Sequence, residues 1–292
     1  GIAGLDDVLD GGFMPRRAYL VRGGPGSGKT IMGLHFLNAA RDPDETSLFI
    51  SFEEPEAELR SNAESLGLDV SGIEFLDLTP GSEYFAESQG QTLFDPGDVE
   101  GASLTELISD EVRSIAPTRG FLDPVTQLRY YAGDDYQFRK QVLSLIQFLD
   151  EQEATVLFTS QRSETFPDDD LQFLSHGIIT IGHSGDVRTV TVSKFRGSEF
   201  ESGDHTLQID YGGISVFPRL RSGVRDEPAI GSPLSSGVPE LDSLLNGGIE
   251  PGTVTILSGP TGAGKSTLGT QFMKEAAGRS QHSVMYLFEE AL

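Results

Sequence analysis

Two stretches of this chain carry residue types suited to phosphate chemistry. Gly23, Gly24, Pro25, Gly26, Ser27, Gly28, Lys29 and Thr30 satisfy the pattern G-x-x-x-x-G-K-[ST]; Gly259, Thr261, Gly262, Ala263, Gly264, Lys265 and Ser266 satisfy it a second time. In such a loop glycines let the backbone turn tightly and aim its N–H groups at phosphate oxygens. The lysine reaches the β- and γ-phosphates, and the Thr30 or Ser266 hydroxyl is placed to hold Mg²⁺. One match competes with an ordinary Gly-rich turn. Two matches, each after an apolar strand-like run and each opening a helix-like one, point to nucleoside triphosphate binding.

Phosphoryl transfer to water also needs a carboxylate to orient or deprotonate the attacking water, and a metal to carry charge. Glu53 and Glu54 close the second strand-like run, at the sheet edge where open α/β folds bind ligands. The pair recurs as Glu289-Glu290. Asp123 ends another short apolar run; a metal-contacting carboxylate and an ordinary strand-end Asp read about equally well there. Ser160-Gln161 ends the following strand and suits sensing of the γ-phosphate. Lys194 and Arg196 share one face of a late strand, where a solvated strand face is the plainer reading. Asp134-Asp135 and Asp168–Asp170 read as solvating surface.

The elements that must position these groups follow from hydrophobic periodicity. Arg17–Arg22 reads as a strand into the first loop and Lys29–Ala40 as a helix. Ser47–Phe52 is the strand before the Glu pair, and Pro55–Leu66 a helix with Pro at its first helical position. Ile73–Leu78 is a third strand; Gly81–Gly101 is an exposed acidic loop. Ala102–Ile115 is a helix, and Gly120–Leu122 leads to Asp123. Tyr136–Leu149 is an amphipathic helix with Val142, Leu143, Leu145, Ile146 and Phe148-Leu149 as its core stripe. Thr155–Thr159 is a buried strand and Gln161–Asp170 a polar loop. Gly177–Ile181, Arg188–Phe195, His205–Ile209 and Gly213–Phe217 then follow with no helix-length segment between them, an antiparallel extension on a parallel core.

An internal repeat sets the domain plan. A constant shift that lays Lys29 on Lys265 aligns Gly1–Glu54 with Gly237–Glu290 without a gap, with 18 identities in 54 positions. We therefore expect a first domain over 1–220, a linker over 221–236 rich in Pro, Gly and Ser, and a partial second domain over 237–292. The partial copy reads as strand, phosphate loop, helix and strand. It lacks a counterpart of Asp123, so only the first site is complete. The chain opens at Gly1 inside what reads as a motif and is expected to be a fragment.

Composition bounds the rest. The chain has 292 residues, with 45 acidic against 21 basic side chains and a formal net charge of −24. Such a charge opposes binding to nucleic acid or anionic membrane, and its even spread along the chain reads as a solvated acidic surface of the halophile kind. There is no Cys, which excludes disulfides and thiolate metal sites. His35, His176, His183, His205 and His282 lack ligand spacing. No run of apolar residues is long enough to span a bilayer, so cytoplasmic is the default location.

Taken together, the duplicated phosphate loops, Phe52-Glu53-Glu54, Lys194-Phe195-Arg196-Gly197 and the closing Gly213-Ile-Ser-Val-Phe-Pro-Arg-Leu220 resemble the KaiC family of RecA-like ATPases, from Gly1 to about Leu220 and again from Gly237. The resemblance implies an α/β RecA-like P-loop core, a mostly parallel sheet flanked by helices with antiparallel C-terminal strands. It implies ATP and Mg²⁺ as ligands, Glu53 and Glu54 as catalytic carboxylates beside Lys29, and Thr30 and Asp123 as the metal-binding pair. It also implies a homo-oligomeric, hexameric ring in which Lys194 and Arg196 act on the neighbour's γ-phosphate. In one branch of the family a His follows four positions after that Arg; here the place is Phe200. Clock members of the family autophosphorylate adjacent Ser and Thr in the second domain; in the first copy here the equivalent place is Gln172-Phe173, without a hydroxyl. The expected function is a ring-forming signalling or clock-type ATPase, with serine/threonine autokinase activity and signalling partners belonging to a complete second domain. Two alternatives are a DNA-directed RecA-like motor, which the acidic loop after Asp123 disfavours, and a nucleotide-controlled assembly module.

Overall fold

The computed structural model describes residues 1–40, 45–82, 101–161, 168–220 and 231–287. Most of the expected acidic loop after Gly81, the middle of the polar loop after Gln161, most of the linker, and Phe288-Glu289-Glu290 lie outside these residues. The chain divides into two compact units, Gly1–Leu220 and Arg221–Leu292.

The first unit is built on one nine-stranded sheet, ordered β3-β2-β4-β5-β1-β6-β7-β8-β9. Its strands are β1 (Ala18–Gly23), β2 (Ser47–Ser51), β3 (Ile73–Asp77), β4 (Arg119–Asp123), β5 (Thr155–Gln161), β6 (Gly177–Ser184), β7 (Val187–Phe195), β8 (Asp204–Asp210) and β9 (Gly213–Phe217). Every pairing from β3 across to β6 is parallel, and β6 to β9 are antiparallel. This is the RecA-like α/β arrangement, a parallel core with an antiparallel C-terminal extension. Gly177–Ile181, expected in that extension, is the strand where the two halves meet: β6 lies parallel to β1 and antiparallel to β7.

Helices cover both faces. One face carries α1 (Leu5–Val8), α2 (Lys29–Asn38) and α3 (Glu56–Ser65), whose Leu5, Met32, Leu34, Leu37 and Leu59 pack against Tyr19, Val21, Phe49 and Phe121. The other carries α4 (Gly101–Ile115), a 3-10 helix (Val125–Tyr131), α5 (Asp135–Glu151) and α6 (Asp169–Leu174). Here Val112, Phe138, Val142, Leu149 and Leu171 pack against Leu20, Ile50, Leu122 and Phe158. Strands sandwiched this way need apolar residues on both faces, which is why β2 is buried throughout. Each large side chain so buried contributes about 1.5–3 kcal/mol.

Several local expectations change. Pro55 is the N-cap of α3 rather than its first helical residue, in extended conformation before acidic Glu56 and Glu58. In α5 the core stripe is Val142, Leu145, Ile146 and Leu149, with Leu143 turned outward. The helix α6 starts within the last two residues of the expected polar loop and continues beyond it to Leu174, and Asp168 at its start is buried rather than solvating. The outer edge of β9 is occupied: Ile214 N–H donates to His35 Nδ1 at 3.0 Å and Val216 N–H to Ala3 O at 2.9 Å. An edge closed this way offers no free ladder for pairing there.

Within the second unit, α7 (Pro239–Leu244) and α8 (Lys265–Gly278) form, with one isolated bridge between Leu234 and Ile249. Asp242 accepts hydrogen bonds from Ser235 Oγ at 2.6 Å, Ser236 N–H at 2.7 Å and Ser236 Oγ at 2.6 Å, fixing the turn into α7. The two strands expected on either side of α8 do not form among the described residues, and Val254, Ile256 and Tyr286 are exposed. The cause is topological. In the first unit β1 lies between β5 and β6, and β2 between β3 and β4; the described residues of the second unit include no counterpart of those partners.

Candidate functional site

The first phosphate loop leaves β1 at Gly23 and enters α2 at Lys29. Gly26 and Gly28 hold positive φ of 69° and 107°, a backbone region that favours glycine. Gly28 is the N-cap of α2 and no side chain caps the helix. The first-turn N–H groups are thus left for an anion at the positive end of the helix.

Three strand ends, those of β2, β4 and β5, bring the remaining groups to this loop. Asp123, at the end of β4, accepts a hydrogen bond from Thr30 Oγ1 at 2.6 Å and another from Thr159 Oγ1. Lys29 Nζ donates to Gly23 O at 3.0 Å and Gly24 O at 3.1 Å. Gln161 Nε2, at the end of β5, donates to Glu53 Oε2 at 2.5 Å. Pro25, Gly26, Lys29, Thr30, Ser51, Glu53, Glu54, Asp123, Pro124 and Gln161 line one cavity of about 190 Å³.

The electrostatics of this cavity suit a cation. Burial pushes the Asp123 carboxyl up, against the Thr159 and Thr30 hydrogen bonds and the Lys29 charge that favour its ionised form. Burial also raises Glu54, reinforced by the negative charges of Asp123, Glu58 and Glu53. Burial lowers Lys29, and Asp123 and Glu53 partly restore it. Three carboxylates beside one lysine and the Thr30 hydroxyl are an oxygen-rich donor set of the kind hard divalent cations take, so Thr30 and Asp123 fit Mg²⁺.

Ser160 and Gln161, read as a pair, part company. Successive side chains of a strand point to opposite faces. Thr159 and Gln161 serve the cavity, while buried Ser160 donates to Asp168 Oδ2 at 2.5 Å on the other face. Sequence reading passed over Thr159, whose signal was its place two residues before Gln161. It also passed over Asn62 and Ser65 on α3. These two, with Ile31, Leu34 and Leu66, line a second cavity of about 370 Å³ that shares Gly26, Lys29, Thr30 and Glu54 with the first. The exposed Tyr211 ring lies over Gly67, next to Leu66.

Lys194 and Arg196 lie away from their own loop. Lys194 pairs with Ile178, which pairs with Leu20 at the middle of β1, whereas the loop starts at Gly23 beside Ile181. Three residues along a strand and two strands across amount to about 14 Å at ordinary sheet spacings. Lys194 Nζ instead donates to Gln172 O at 2.7 Å and Ser175 O at 2.6 Å. Arg196 is exposed, its N–H held by His176 O at 3.0 Å.

The second loop repeats the local geometry only. Gly264 caps α8 at φ 87°, and Lys265 Nζ donates to Gly259 O and Pro260 O, both at 2.9 Å. Ser266 stands in the first turn of α8, and the described residues of this unit hold no carboxylate corresponding to Asp123.

Among the described residues no group of acidic or His side chains forms a preassembled metal cluster, and no helix is long and apolar enough to cross a membrane. A family model described as ATPase: KaiC matches residues 1–221 and 234–291. The circadian clock oscillator protein KaiC of Parasynechococcus marenigrum (strain WH8102) is 28% identical over 306 residues, covering 100% of this chain and 58% of the relative. KaiC of Synechococcus elongatus is 27% identical over 305 residues, covering 99% and 57%. The circadian clock protein KaiC3 of a Synechocystis species is 27% identical over 306 residues, covering 100% and 59%. The chain thus spans a little over half the length of these relatives. With the family model matching nearly the whole chain, over a RecA-like core whose phosphate loop faces Glu53, Glu54 and Asp123, this protein belongs to the KaiC family of ATPases.

Proposed function

We propose that the first unit binds and hydrolyses ATP with Mg²⁺, and that copies of the chain assemble into a ring in which each supplies Lys194 and Arg196 to its neighbour. The convergence of Lys29, Thr30, Glu53, Glu54, Asp123 and Gln161 on one cavity carries this reading. The loop N–H groups and Lys29 bind the β- and γ-phosphates. Thr30 and Asp123 would hold Mg²⁺, which supplies charge neutralisation on the phosphates when bound. Glu54, whose raised pKa reflects a half-buried acidic setting, orients and deprotonates the attacking water; Glu53, held by Gln161, keeps that strand end in place and adds its own negative charge. The adjoining cavity at Asn62, Ser65 and Leu66 takes the nucleoside, because it opens from the same Lys29 and Thr30 that bind the phosphates. The sheet register supports trans action, since Lys194 is too far along β7 to reach its own loop.

From the relatives' names we carry over a timing or signalling role. Serine/threonine autokinase activity belongs to a complete second domain, and a cytoplasmic location accompanies this role.

The test is phosphate release with parallel light scattering in Mg-ATP, at a salt concentration where the protein is folded. Lys29→Ala should abolish nucleotide binding or assembly. Glu53→Gln combined with Glu54→Gln should retain ATP and stop hydrolysis; normal turnover by that double variant overturns the catalytic assignment. A monomer at saturating Mg-ATP overturns the ring. Stimulation of phosphate release by single-stranded DNA would favour a motor instead.

A further inference from the structure

Asp168 joins three elements. Its carboxylate takes Arg22 in bidentate fashion, Nε at 2.7 Å and Nη2 at 2.6 Å, and Ser160 Oγ at 2.5 Å, and the residue is only 2% exposed. Arg22 immediately precedes Gly23 of the phosphate loop, Ser160 immediately precedes Gln161, and the two are register partners across β1 and β5. One carboxylate therefore ties the root of the loop and the strand end bearing Gln161 to the start of α6. Burial opposes its charge, yet the Arg22 and Ser160 hydrogen bonds hold Asp168 below the ordinary carboxylate range.

The other end of α6 holds Lys194. Gln172 O and Ser175 O, which accept its ammonium, are carbonyls of the kind a helix C-terminus leaves unpaired, and a cation suits that end of the dipole. A six-residue helix is too short to be stable by itself, so its place depends on its contacts. Those are Asp168 at its start, buried Leu171 in its middle, Arg139 of α5 pairing with Asp170 at 3.0 Å, and Lys194 at its end. A buried ion pair adds little stability beyond an apolar replacement. What a bidentate pair adds is fixed geometry.

We propose that Asp168, clamped by Arg22, is a positioning residue for the neighbour's reaction: it fixes α6 and, through the Gln172 and Ser175 carbonyls, sets where a subunit presents Lys194 to the next copy's γ-phosphate. This rests on the trans reading given above. Among the described residues two N–H groups of Lys194 are occupied, which leaves one for a phosphate oxygen. The same Asp168 contact touches the subunit's own loop root, so each subunit's phosphate loop and the cation it offers its neighbour share one anchor.

The test uses the whole chain in Mg-ATP, with co-assembly checked by sizing. Asp168→Asn should lower kcat about tenfold with KM changed less than about twofold, the split expected when an interaction made in the transition state is lost. Arg22→Gln approaches the same contact from the other side and should match it; Arg22→Lys, which cannot form the bidentate pair, should fall between. The decisive measurement mixes Asp168→Asn with an excess of Glu53→Gln/Glu54→Gln copies, which are inactive but carry an intact Lys194. Most Asp168→Asn sites then receive a properly held lysine and should recover most of their turnover, as should Lys194→Ala sites in the same mixture. If Lys194→Ala recovers and Asp168→Asn does not, the trans reading stands and the positioning role falls. If Lys194→Ala fails to recover, the trans reading itself is overturned.

Discussion

Gln161 Nε2 donates to Glu53 Oε2 at 2.5 Å, closing the cavity between the ends of β5 and β2. The bond needs an amide donor facing a carboxylate. Gln161→Glu replaces it with two like charges and should lower phosphate release at least about tenfold while changing ATP affinity less than about threefold. Gln161→Ala, which removes the donor without adding charge, should lose less. Parallel loss of binding and turnover in a fluorescent-nucleotide titration would move Gln161 from orienting Glu53 to holding ATP.

Asp123 is retained at a cost to the nucleotide-free fold. Burial disfavours its charge, and its neighbours Glu53 and Glu54 are also acidic. Asp123→Asn removes that penalty and should raise thermal stability without nucleotide, on the order of 1 kcal/mol, as removal of a strained functional group often does. The same variant should lose the stabilisation that Mg-ATP gives the parent protein through mass action. Differential scanning calorimetry with and without Mg-ATP reads both effects. A large loss of stability in the nucleotide-free protein would mean that Asp123 is chiefly structural.

The phosphate loop was legible in the sequence because its chemistry is local: Gly23 to Thr30 are contiguous, and their spacing alone dictates the turn. The parallel core was legible for a similar reason, through apolar runs and helical periodicity. Asp168 was not, because its partner Arg22 lies 146 residues away and three consecutive acids look like solvated surface. Helix α6 was missed because six residues are too few to display a period. Ser160 was misjudged as part of a pair although strand alternation sends it to the face opposite Gln161. The strands of the second unit were over-read from pattern alone; a strand also needs neighbours, and Val254 and Ile256 lack the ones that bury Ala18 and Leu20.

Gly33 sets the approach of α2 to β4, and so the meeting of Thr30 with Asp123. A Cβ there would stand 2.1 Å from the Phe121 ring, itself packed at 5.0 Å against Phe49. Gly33→Ala should destabilise the fold by about 1–3 kcal/mol, the range for overpacking a filled core. It should also raise KM for ATP by displacing the first turn of α2. Urea unfolding supplies the first number and steady-state kinetics the second. An unchanged urea midpoint would show that the helix can shift without loss.

Stability should fall as the solution is acidified below neutrality. His35 Nδ1 accepts from Ile214 N–H at 3.0 Å and His176 Nδ1 from Ala18 N–H at 3.2 Å, so both rings must be neutral at Nδ1. Burial lowers both pKa values from the ordinary 6.5, against Asp6 near His35 and Asp150 near His176, and the Arg17 and Arg196 charges lower His176 further. The unfolded chain therefore takes up these protons first. The stabilisation is fully present above about 6.5 and is lost as pH falls from there through the lower folded values. Asn offers an acceptor in place of Nδ1 and does not titrate, so the His35→Asn/His176→Asn variant should show a flatter dependence of melting temperature between pH 7.5 and 5, from whatever level its altered packing sets. An equally steep slope in that variant would assign the acid loss to other groups.

Salt should stabilise this protein more than it does a balanced one. With 45 acidic and 21 basic residues, carboxylates outnumber cationic side chains by more than two to one, and their repulsion acts over distances that salt controls. The screening length is about 10 Å at 0.1 M and about 3 Å at 1 M, so repulsion between neighbouring surface acids persists in dilute buffer and largely disappears at molar salt. The charge also opposes the approach of ATP, a polyanion, to a cavity lined by Glu53, Glu54 and Asp123. Raising KCl from 0.1 to 1 M should therefore raise the melting temperature and lower KM for Mg-ATP together. An uncharged osmolyte of matched osmotic strength should leave KM unchanged. A melting temperature indifferent to removal of salt would exclude the halophile reading of the surface.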